Sequence, residues 1–243
     1  MTGRMVALDT ETTGLEPSLG HRVTEVALVE IIDRQVTGRT FQTYLNPERE
    51  LDEAAARITG LSYGFLKDKP KFSEVIDDFW AFLFPLGAES SPELIIHNAP
   101  FDLKFLNAEL THCGHKVTVL QKHASVIDTL VLAKRLFPGH RGYSLDALCQ
   151  RHGVDNQHRE KHGALLDAEI LAEVYLRMTA GQETLAFSGA GAPIFERKSS
   201  VVLPGVPGIS TEVEGSRRAR IKVIPAEPDS VRLHEARLAE ISD

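Results

Sequence analysis

Cysteine is nearly absent: Cys113 and Cys149 are the only two in 243 residues, which excludes the disulfide-framed folds of small secreted proteins and fits a reducing compartment. No apolar run approaches the ~20 residues of a bilayer crossing. The start of the chain also lacks a basic region followed by a long apolar segment and a small-residue cleavage site. A cytoplasmic protein with no membrane partner is expected. Positive charge is scarce as well, with 27 Lys and Arg against 34 Asp and Glu, a formal net charge of −7. Residues 188–243 carry eight of each sign, so the excess lies in residues 1–187, where 19 bases oppose 26 acids. Such a chain does not grip nucleic acid by bulk charge. Chemistry on nucleic acid stays open if metal ions neutralise a local site. What the chain does have is 42% hydrophobic residues, enough for the core of one substantial domain with appendages.

The stretch Met5-Val6-Ala7-Leu8-Asp9-Thr10-Glu11-Thr12-Thr13-Gly14 ends an apolar run in two acids. Side chains on a strand repeat every second residue, so Asp9 and Glu11 point to one side. Like charges that close call for a cation between them, and carboxylate oxygens suit magnesium or manganese. Alone, such a pair reads as a solvated strand end. Further acids decide the matter.

Val23–Ile32 and Val36–Leu45 are rich in β-branched residues and flank Asp33-Arg34-Gln35, a hairpin pattern. Leu51–Ile58 looks helical and stops at Gly60. From Phe72, the residues Val75, Ile76, Phe79, Trp80 and Leu83 follow helical spacing, with Ser73 as the expected cap and the aromatics read as core. Leu94–His97 is a short strand. Asn98 then reads as the cap of a helix with Pro100 in its first turn, which puts Asp102 just past a strand end. Asp128 is a further acid near a strand end, with a supporting or structural role expected. Ser144 opens a short helix to Gly153, and Gly163 precedes a long one over Ala164–Met178, with Asp167 in its early turns and His162 on the loop before it. His112, Cys113, His115 and His123 match no zinc-ligand spacing, and His158 and His162, four apart as in a helical zinc pair, read instead as loop because charged residues and Gly163 accompany them. Four carboxylates can hold two divalent cations, and a histidine beside them can take a proton from water.

Three segments, Asp9-Thr10-Glu11-Thr12-Thr13-Gly14, His97-Asn98-Ala99-Pro100-Phe101-Asp102 and His162-Gly163-Ala164-Leu165-Leu166-Asp167, resemble the three motifs of the DnaQ-like 3′-to-5′ exonucleases, in the subgroup with a catalytic histidine. The resemblance covers roughly residues 4–180. It implies an α/β, ribonuclease-H-like fold, a mixed central sheet flanked by helices, and release of nucleoside 5′-monophosphates from DNA 3′ ends. By the same resemblance Asp9, Glu11, Asp102 and Asp167 are ligands of two Mg2+ or Mn2+ ions, and His162 is the general base. Thr10, Thr12, Thr13, Gly14, Leu15, Ile58, Thr59, Asn98 and Phe101 are then expected around the terminal nucleotide. One departure is that Thr59 stands where many members carry a histidine in a valine-histidine-glycine turn.

The exonuclease domain is thus expected over residues 1–181. Gln182-Glu183-Thr184-Leu185-Ala186-Phe187 resembles the short motif by which replication proteins dock on the sliding clamp, with Gln182, Leu185 and Phe187 as anchors. Residues 188–219 have a linker's composition, rich in Gly, Ala and Pro. In residues 220–243, Val231, Leu238 and Ile241 share one helical face. Within that segment His234-Glu235-Ala236-Arg237-Leu238 resembles the tails by which proofreading exonucleases hold the catalytic subunit of a replicative DNA polymerase. The resemblance implies a tethered nuclease at the replisome on the nucleoid, with no stable homo-oligomer. The alternatives are a free-standing exonuclease for repair or short RNA, and a catalytically silent structural subunit.

Overall fold

The computed structural model describes residues 3–87, 91–156 and 161–180. The clamp-like motif at 182–187, the linker, the segment at 220–243 and His158 lie outside them.

Strand β1 (Arg4–Thr12) is the middle of a five-stranded sheet. Strands β2 (Val23–Ile32) and β3 (Gln35–Tyr44) continue it antiparallel on one side, and β4 (Glu93–Ile96) and β5 (Ser125–Asp128) continue it parallel on the other. The order is β3-β2-β1-β4-β5, the mixed α/β sheet expected from the sequence. Asp33 and Arg34 both take positive φ, 52° and 60°, as a two-residue hairpin turn requires. β3 therefore begins at Gln35, one residue before the β-branched run.

The period of two along β1 feeds two cores. Val6 and Leu8 are fully buried against α3 (Phe72–Leu83) and α4 (Ala99–His112). Ala7 faces the opposite layer, with α5 (Thr129–Leu136), α6 (Leu145–His152) and α7 (Ala164–Thr179). In chain order α1 (Glu53–Thr59) and α2 (Tyr63–Leu66) precede α3. Phe72 and Phe79 of α3 are almost wholly buried, so its aromatic stripe is core, at about 1.5–3 kcal/mol per large side chain.

Two expected helix caps differ. Lys71, not Ser73, precedes α3, and its backbone N–H donates to the Glu74 carboxylate at 2.7 Å. Asn98 occupies the cap position of α4 but sits at φ 63° with no side-chain capping bond. Its place is taken from another strand. Asp128, at the end of β5, accepts from the N–H groups of Asn98 (3.3 Å) and Ala99 (3.2 Å), and from Leu130 (2.9 Å) and Val131 (3.3 Å) of α5. One carboxylate thus joins the first turns of two helices. Farther along α4, buried Glu109 takes a bidentate pair of bonds from Arg22, both 2.7 Å, and one from the Val23 N–H, locking the helix to the start of β2.

Candidate active site

The site forms at the carboxyl end of β1, where the pairing with β4 has stopped at Ala7. Carboxyl ends of parallel strands are the usual place for ligands in such sheets. Asp9 and Glu11 follow Met5 and Ala7 on the face covered by α7. Glu11 is 9% exposed and Asp167, in the first turn of α7, 2%. One ligand atom each from Glu11, His162 and Asp167 lies within 4.8 Å of the others, and His162 Nδ1 is 3.3 Å from Asp167 Oδ2. Asp9 is on the same strand face but outside this group of three.

Asp102 comes from the other layer. Its Oδ1 accepts from the Thr10 N–H at 3.1 Å and the Thr10 hydroxyl at 2.7 Å, serving the edge of β1 that β4 no longer pairs. Burial pushes the Asp102 carboxyl up to about 7; the Thr10 bonds oppose the rise and the nearby Asp128 charge adds to it. Asp102 is not in the Glu11–His162–Asp167 group.

The donor set suits a hard divalent cation. Ligands of one such ion, each ~2.1 Å from it, lie at most ~4.2 Å apart, so small side-chain movements would bring the three groups onto it. A buried carboxylate that resists ionising, as Asp102 does, is also the chemistry that a bound cation would satisfy.

Beside the acids lies a pocket of about 360 Å³ lined by Thr10, Glu11, Thr12, Gly14, Leu15, Asp52, Ala54, Ala55, Ile58, Thr59 and Phe101. Leu15 is 77% and Ile58 50% exposed, so its walls offer apolar surface to a ligand. Thr59 has its hydroxyl turned into α1, donating to the Ala55 carbonyl at 2.9 Å and accepting from the Leu61 N–H at 3.1 Å. Thr13 and Asn98, expected around the nucleotide, do not line this pocket. Thr13 is fully buried, its hydroxyl 3.1 Å from His21 Nδ1, and Asn98 is spent on the turn into α4. Gly14 packs directly on the His21 ring, where a Cβ would come within 2.7 Å of Nε2. Any side chain there would push the turn off its support.

Glu25 escaped notice in the sequence. It is 1% exposed, opposite Glu11 in the β1–β2 pairing, and accepts from Gln42 Nε2 (2.6 Å) and the Ala164 N–H at the start of α7 (3.1 Å). Burial raises its pKa, the bonds from Gln42 and Ala164 lower it, and the Asp167 charge raises it further. An acid in the apolar run Val23-Thr24-Glu25-Val26-Ala27 was the available signal.

Comparison with known proteins shows the family. The family model described as exonuclease matches residues 6–175. The DNA polymerase III subunit epsilon of Rickettsia felis is 50% identical over 181 residues, 74% of this chain and 76% of that protein. The protein of the same name from Escherichia coli K12 is 39% identical over 239 residues, 97% of this chain and 92% of that one. Among solved structures, exonuclease X in complex with 5′ overhanging duplex DNA is 26% identical with a TM-score of 0.56, over 74% of this chain and 93% of that one. Escherichia coli exonuclease I with a dA16 oligonucleotide, at 17% identity and a TM-score of 0.62 over 75% of this chain and 42% of that one, shares the fold. The chain belongs to the exonuclease family and, within it, to the group of the DNA polymerase III epsilon subunits.

Proposed function

We propose that this chain is the proofreading 3′-to-5′ exonuclease of a replicative DNA polymerase, removing mispaired 3′-terminal nucleotides as 5′-monophosphates, with His162 as its general base. The observation that carries the reading is the meeting of Glu11, His162 and Asp167 beside an apolar-walled pocket, in a chain similar over nearly its whole length to a polymerase III epsilon subunit. Asp9, Glu11, Asp102 and Asp167 would hold two Mg2+ or Mn2+ ions, which when bound supply charge neutralisation at the phosphate and activation of water.

The chain's own residues do the rest. Leu15, Ile58, Ala55 and Phe101 give the terminal base and sugar an apolar seat. His162, half-exposed, takes a proton from the attacking water, and Asp167 at 3.3 Å stabilises the imidazolium that results. Mispaired ends are preferred because unpairing them costs less.

Residues 182–187 would dock on the sliding clamp through Gln182, Leu185 and Phe187. Residues 220–243 would hold the polymerase catalytic subunit through Val231, Leu238 and Ile241, with 188–219 as the linker between. Tethering raises the effective concentration of DNA ends to roughly millimolar, which substitutes for the affinity that an acidic surface lacks. The site of action is the cytoplasm, at the replisome. Among the described residues, no helix is long and apolar enough to cross a membrane.

The test is nucleotide release from a 3′-mispaired primer-template with Mg2+ or Mn2+, with and without chelator. Release of 5′-monophosphates is expected to need the metal and to fall about 10²–10⁴-fold in His162→Ala. No release under any condition would leave a structural polymerase subunit as the reading.

A further inference from the structure

We propose that the last turn of α1, Ile58–Gly60, is a positioning element for His162 acting through Lys161, so that the helix walling the nucleotide pocket also sets the general base. This rests on the reading of His162 given above. Three observations converge on it. First, the His162 N–H donates to the Ile58 carbonyl at 3.1 Å; carbonyls in the last turn of a helix have no partner within it and are free to receive such a bond.

Second, Lys161 fills the space that Gly60 leaves. Gly60 closes α1 at φ 74°, and a Cβ there would lie 2.6 Å from Lys161 Nζ and 3.0 Å from Cε. The lysine stem therefore lies across the turn, with its ammonium at the electronegative end of the helix. Third, Ile58 and Thr59 line the 360 Å³ pocket, so the residues that would touch a nucleotide are those that hold the histidine loop.

On the far side of His162 the backbone is fixed again, by the bond from the Ala164 N–H to Glu25. The imidazole itself is 44% exposed. Among the described residues, the loop of His162 is tied at these two backbone anchors and its ring lies beside Asp167, and of the two anchors the one at Ile58 belongs to the pocket wall. A catalytic group misplaced by ~1 Å can lose on the order of 100-fold in rate. A latch one residue away from the base has that leverage, and a seated nucleotide loads the same turn.

Full-length Lys161→Ala and Lys161→Met separate the stem from the charge. On a 3′-mispaired primer-template with Mn2+, Lys161→Ala is expected to lower kcat about tenfold with KM nearly unchanged, while Lys161→Met keeps kcat close to wild type. Gly60→Ala, which pushes the stem aside and also strains the turn at φ 74°, should lower kcat too, and the double variant Gly60→Ala with Lys161→Ala should be no worse than the more impaired single. The proposal is overturned by an unchanged kcat in Lys161→Ala. Equal rises in KM for both lysine variants would overturn it too, since they would assign the ammonium to DNA phosphate. So would a loss of kcat that only follows a fall in thermal midpoint below the assay temperature. If His162→Ala keeps the wild-type rate, the general-base reading fails instead, whatever the Lys161 variants do.

Discussion

Glu25 concentrates a conflict in one side chain. It is buried where its charge is disfavoured and faces Asp167, yet it is the acceptor for the first N–H of α7 and for Gln42. Burial prevails over the bonds for the charge, but the bonds matter for the fold, because a buried donor stripped of its acceptor costs about 1–3 kcal/mol. Glu25→Ala is therefore expected to lower unfolding stability by about that amount. Glu25→Gln, which keeps an acceptor for Ala164 and removes the charge beside Asp167, should stay close to wild type. Urea denaturation midpoints measure both. Equal losses would show that the charge, rather than the acceptor, is what the site needs.

The strands and most helices were legible in the sequence because period-two and helical spacing are local properties, and the acids of the three motifs stood out by their context. The elements' ends were less so. Ser73 and Asn98 have the right chemistry for caps, but the bonds that start α3 and α4 come from Glu74 and from Asp128, and Asp128 is 30 residues from Asn98. No local pattern reveals a cap supplied by a neighbouring strand. Glu25 was missed for a related reason, since its partners Gln42 and Ala164 lie on other elements. Nor could spacing show that Asp102 would approach β1 through Thr10, on the face away from Asp9 and Glu11. Asp128 binds two helix starts at once, so Asp128→Ala is expected to cost about 1–2 kcal/mol in stability. Activity should fall as well, because α4 carries Asp102 in its first turn. Denaturation and nuclease assays on the same preparation would check this, and full activity in a destabilised variant would uncouple the cap from the site.

For the whole molecule, pH and metal are linked through buried acids. Folding lifts the Asp102 carboxyl to about 7, so between about pH 4 and 7 the folded chain keeps a proton that the unfolded chain has released. Stability from this group is greatest at the acid end and declines as pH rises through that window. Glu25, also raised by burial, acts in the same direction. A divalent cation that binds the ionised carboxylates stabilises the fold in proportion to how far they are ionised. Added Mn2+ should therefore raise the thermal midpoint more at pH 8 than at pH 5 in differential scanning calorimetry. Equal shifts would exclude Asp102 from the metal-binding set. The docking of α7 onto the first two strands also has a bearing on how the protein is made. The pocket needs residues up to about Phe101, while His162 and Asp167 are added only when translation has passed residue 167. A chain that ends before residue 164 lacks α7, which covers Ala7 and Ala27 of the sheet and carries Asp167, so it is expected to have neither a complete core nor a complete site.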